Sequence, residues 1–104
     1  MAEFLVMSWR ELPSLVTARE GDDVAKVPLP ARLQEAIDEA ATRLGETGSE
    51  AYLAGWQRGG WTQRDGDAAT VAAAVAAELE DTWSVEAVAA YLDGLGPAGP
   101  GADV

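Results

Sequence analysis

The sequence predicts an α+β fold, a small and mostly antiparallel sheet of three to four strands with helices packed on one face. Three observations carry this reading. Strand-like runs come first and helix-period segments follow, in the order β-β-β-α-(short α)-β-α-α, with no regular βαβ alternation. The first run is apolar on both faces, which marks a central strand. The later segments repeat their large apolar residues every three or four positions.

Residues 3–9 (EFLVMSW) form the first strand, with Phe4 and Val6 on one face and Leu5, Met7 and Trp9 on the other. Pro13 interrupts any ladder beyond it. Residues 14–19 and 24–28 read as a hairpin around Glu20-Gly21-Asp22-Asp23, ended by Pro28 and Pro30. A helix follows from Pro30 at its first position to Leu44, with Gly45 after it. Its stripe is Leu33, Ile37, Ala40, Ala41 and Leu44, and Glu39 with Arg43 forms an i,i+4 pair on the exposed side.

Ser49 is the expected cap of a short helix over 50–54, ended by Gly55. Residues 56–63 read as one strand kinked at Gly59-Gly60, where a bulge would set Trp56 and Trp61 on the same face. Asp67 caps a helix to Asp81 with a Val71-Val75-Leu79-Trp83 stripe; its many alanines are assigned to helix propensity rather than packing. Ser84 caps the last helix, with Trp83 and Val88 as a staple and Val85, Val88, Tyr91 and Leu92 inward. One domain over 1–95 and a flexible Gly/Pro-rich tail over 96–104 are expected.

Composition narrows the chemistry. The 104 residues contain no histidine and no cysteine, so no Ser-His-Asp triad, Cys-His pair, common zinc site or disulfide can form. The net charge is −11, which opposes nucleic acid and anionic lipid and leaves a basic partner surface open. Residues 1–64 hold all seven bases and ten acids; residues 65–104 hold eight acids and no base. No stretch is long enough for a membrane span, the N-terminus has no signal-peptide pattern, and a cytoplasmic protein is expected.

Several groupings are candidate sites, each with a plainer reading beside it. Trp9-Arg10-Glu11-Leu12-Pro13 can hold a planar or anionic ligand, or place Trp9 in the core with rim charges beside it. Arg10, Arg32 and Arg58 can converge on an anion, or be scattered on the surface. Asp22-Asp23 and Asp65-Gly66-Asp67 can hold a hard cation, or serve as turn and cap residues; the plainer reading is preferred, since an EF-hand loop from Asp65 needs Gly and Glu where Thr70 and Ala76 stand. Trp56, Trp61, Trp83 and Tyr52 can line a partner surface or fill the core.

Three segments, Trp9-Arg10-Glu11-Leu12-Pro13-Ser14-Leu15-Val16, Leu29-Pro30-Ala31-Arg32-Leu33-Gln34-Glu35-Ala36-Ile37-Asp38 and Tyr52-Leu53-Ala54-Gly55-Trp56, together resemble the small bacterial virulence factor domain family. That domain also occurs within the larger conserved virulence factor C proteins, and the resemblance covers roughly residues 3–95. It implies a candidate binding surface of Trp9, Arg10, Pro13, Arg32, Gln34, Asp38, Tyr52 and Trp56. Leu33 stands where the family often has phenylalanine. The expected function is a non-catalytic accessory or interaction module with a protein partner, without metal or cofactor. The alternative is a small-ligand or cofactor-handling protein, which the resemblance ties to folate- and corrinoid-dependent one-carbon metabolism.

Overall fold

The computed structural model describes residues 1–45 and 48–95. The elements are β1 (Ala2–Trp9), β2 (Leu12–Glu20), β3 (Asp23–Pro28), α1 (Ala31–Leu44), α2 (Ser49–Ala54), β4 (Trp56–Arg58), β5 (Thr62–Arg64), α3 (Ala68–Thr82) and α4 (Val85–Gly94). The sheet runs β3-β2-β1-β4, with β5 also on β1, and every pairing is antiparallel. The α+β reading holds; the strands number five because the last one is broken. The expected tail at 96–104 lies outside the described residues.

β1 is the central strand. Its Phe4 and Val6 stand opposite Ala18 and Val16 of β2, which stand opposite Ala25 and Val27 of β3. Helix α3 packs across these three strands. Val16 and Ala18 are fully buried and join Leu33, Ile37, Val71 and Trp9 in one core. Each fully buried large side chain stabilises the fold by about 1.5–3 kcal/mol relative to leaving it in water. The opposite face carries Glu3, Leu5, Met7, Leu15, Thr17 and Arg19. None of these belongs to that core, although Leu5 is only 3% exposed.

Two turns differ from expectation. β1 and β2 are joined tightly through Arg10-Glu11, with Trp9 opposite Leu12. Pro13 does not end the ladder as expected: it lies inside β2 and pairs with Ser8, beside a register shift between Met7 and Ser8, and the pairing continues to Trp9 and Leu12. The β2–β3 turn is shorter than four residues, because Glu20 pairs with Asp23 and Gly21 takes φ +59°.

The broken strand carries the expected bulge. Phe4 faces Thr62 in one ladder and Met7 faces Arg58 in the other, a slip of one residue across Gly59-Gly60. The slip does not bring the two tryptophans together: Trp56, opposite Trp9, packs against the core, while Trp61 lies against the Arg19 guanidinium.

The helices need five corrections. Pro30 is the N-cap of α1 rather than its first residue, and Gly48 rather than Ser49 takes that place for α2. Arg43 does pair with Glu39 at 2.8 Å, but it is half-buried and also donates to the carbonyl of Leu92. Ala68, Ala72 and Ala76 are 3%, 0% and 3% exposed, so alanine here packs. Small side chains let the helix axis lie close to the sheet. Val85 is 65% exposed, because the core-facing stripe of α4 starts at Val88. The caps by Asp67 on Thr70 N–H and Ser84 on Ala87 N–H form as expected.

Candidate functional site

The tip of the β1–β2 hairpin and the short helix α2 make one corner of the molecule. Trp9 is fully buried beneath it and donates its indole N–H to the Tyr52 carbonyl at 2.7 Å. Its ring stacks on Tyr52 at 5.9 Å, and Tyr52 meets Trp56 edge-on at 6.1 Å. Gly55 makes this approach possible, since a Cβ there would lie 2.5 Å from the indole.

Arg10 sits on top. It is the one non-glycine residue with positive φ, at 52°, among those described. Its N–H donates to the Gly55 carbonyl at 2.8 Å, and its guanidinium lies 5.5 Å from the Trp9 ring centroid. Glu11 accepts a 2.5 Å hydrogen bond from Tyr91 Oη, and Tyr91 packs edge-on to Trp83. The tip is thus tied to α2 on one side and to α4 on the other. Tyr52 and Trp56 are half-buried, and Leu53 is 65% exposed beside them.

The structure therefore brings together Trp9, Arg10, Tyr52 and Trp56 from the expected surface. Pro13 is buried and shapes the hairpin from within. Arg32 donates to the carbonyls of Trp83 at 2.6 Å and Glu80 at 3.3 Å. Gln34 donates to Asp38 on the exposed side of α1. Arg10, Arg32 and Arg58 each lie against a different neighbour: the Trp9 ring, the Trp83 carbonyl and the Trp61 ring.

Arg32 and Arg43 have a common role that spacing alone does not reveal. No basic residue lies in the last turn of α3 or α4. Helix α1 supplies the missing positive charge to the carbonyls at both ends, Arg32 at Trp83 and Arg43 at Leu92.

A second grouping was missed. The Arg19 guanidinium lies 3.7 Å from the Trp61 ring centroid and Arg58 lies 5.7 Å from it. Arg19 also bonds Glu3 at 3.3 Å. The signal was present in the alternation of β2, which puts Arg19 on the face away from α3. Among the described residues no group of three or more acidic side chains is placed to hold a metal ion.

The virulence factor family matches residues 7–91. The chain belongs to that family. No curated protein and no solved structure matches it. The family range contains the whole hairpin tip, α2 and all eight residues of the expected surface. Among the described residues, no helix is long and apolar enough to cross a membrane.

Proposed function

We propose that this virulence factor domain is a non-catalytic accessory module of the cytoplasm that docks a protein partner through the corner formed by Arg10, Tyr52, Leu53 and Trp56. One observation supports it above the others: Arg10 is held in a left-handed conformation at the surface. Such a conformation costs about 1–3 kcal/mol and persists where the surroundings over-determine it, often at binding sites. Arg10 and the half-buried Tyr52 and Trp56 are the residue types enriched at interface hot spots, and the exposed Leu53 lies beside them. A chain without cysteine does not depend on an oxidising compartment. The one-carbon alternative requires Arg10, Arg32 and Gln34 around one ligand; it has less support, because Arg32 is bonded to the Trp83 and Glu80 carbonyls and Gln34 to Asp38.

The test is capture of a partner from lysate by the parent domain, compared with Arg10→Glu and Leu53→Asp. The partner is expected with the parent and absent with both variants, at unchanged unfolding midpoints. A partner retained equally by all three would refute the corner. Turnover of a metabolite by purified protein, lost on changing one carboxylate or arginine, would refute the non-catalytic reading.

A further inference from the structure

We infer that the free edge of β3, where it borders the start of α3, is a second docking site that takes an extended, basic segment of a protein partner as an added strand. The inference rests on reading the domain as an interaction module. It concerns a different surface from the Arg10 corner.

The geometry comes from the ladder. β3 ends the sheet order and pairs with β2 alone. Leu29 donates to the Ser14 carbonyl, and antiparallel pairing alternates hydrogen-bonded and non-hydrogen-bonded rows. Counting back from Leu29, residues 27, 25 and 23 bond inward to β2. The N–H and C=O of Val24 and Lys26 therefore point outward, and no described residue takes them. A cleft of about 350 Å³ opens beside this edge, lined by Asp23, Val24 and Ala25 of β3 and Asp67, Ala68 and Ala69 of α3. Val24 is 61% exposed there. An edge strand beside a helix, with a cleft between them, is the setting in which an extended peptide adds to a sheet.

Charge selects the occupant. Asp22, Asp23, Asp65 and Asp67 are all exposed around the cleft and the adjoining turns. Lys26 stands at the far end of the strand, and the Met1 ammonium is bonded to Glu20. The net charge of −11 draws a basic segment toward the molecule from a distance. A second copy is disfavoured, because two molecules that each carry a net charge of −11 repel one another. Lys26 and Pro28 further blunt pairing of β3 with β3.

The probe is a capped hexapeptide of alternating valine and lysine, titrated into the full chain at low ionic strength and followed by amide NMR. The amides of Val24 and Lys26 are expected to shift and gain protection from exchange. N-methylating the peptide along one edge should weaken binding on the order of tenfold or more, and so should replacing its lysines by glutamate. Val24→Pro removes the outward N–H without touching the inner ladder and should weaken the parent peptide similarly. Because the peptide arm uses the unmodified domain, it decides the matter even where Val24→Pro fails to fold.

No binding at about 1 mM peptide, indifference to N-methylation, or shifts centred on Arg10 and Leu53 or on Trp61 would each overturn the inference. A domain that dimerises through β3 would overturn it too. Leu53→Asp should leave peptide binding intact. Peptide binding can thus fail while the corner survives, and the corner can fail while peptide binding survives.

Discussion

At the scale of single residues, Trp9 and Arg10 show how adjacent positions divide labour. Trp9 was legible only as a choice between core and ligand site. What decides it is Gly55, 46 positions away in sequence, whose backbone lies against the indole. Gly55 is in the helical region with φ −76°, so alanine there suffers no backbone penalty, only the clash. Gly55→Ala should cost about 1–3 kcal/mol through overpacking, read as a lower urea midpoint. Arg10 makes the opposite case. Its positive φ tolerates glycine and resists β-branching, so Arg10→Val should destabilise by about 1–2 kcal/mol while Arg10→Gly stays within about 0.5 kcal/mol of the parent. Thermal unfolding of the three proteins separates these outcomes.

At the scale of elements, α3 is the instructive case. Its period was plain from Val71, Val75 and Leu79, and its caps were plain from Asp67 and from Ser84 on the next helix. The contact surface was not, because alanine serves equally in an exposed helix and in a close approach. Ala72 has no exposure while Ala73 beside it is exposed. Ala72→Leu should therefore cost about 1–3 kcal/mol and Ala73→Leu almost nothing, measured by chemical denaturation. The C-terminal end of α3 depends on α1. Arg32→Ala removes the guanidinium from the Trp83 carbonyl and should destabilise by about 1–2 kcal/mol. Arg32→Lys keeps the charge with a single point donor and should recover part of that loss.

At the scale of the whole molecule, charge dominates. A net charge of −11 on 104 residues repels itself in the compact state. Raising salt from about 20 mM to about 500 mM shortens the screening length from roughly 20 Å to roughly 4 Å. The melting temperature should rise accordingly, and a fall would show that ion pairs outweigh repulsion. Acid acts in a second way. Asp67 is held below its ordinary 3.8 by the Thr70 N–H, and Glu78 below its ordinary 4.5 by its bonds to Arg64. Carboxyls depressed in the folded state stabilise it above their ordinary values, and that contribution disappears as pH falls through the folded ones. Stability should therefore drop below about pH 4.5, and an Asp67→Asn, Glu78→Gln protein should lose part of that slope in denaturation curves taken at successive pH values.

The sequence by itself determined the α+β class, the element order, the β2–β3 hairpin, the break at Gly59-Gly60 and the caps at Asp67 and Ser84. All of these are local: period, turn chemistry and short-range hydrogen bonds act within a few residues. Only the tertiary structure decided that Trp9 lies beneath Tyr52 and Gly55, that Arg32 and Arg43 serve the ends of other helices, and that the Ala68-Ala72-Ala76 stripe meets the sheet. Those outcomes depend on which surfaces meet across long sequence separations. A guanidinium or a methyl group carries no mark of its eventual neighbour until the chain has closed around it.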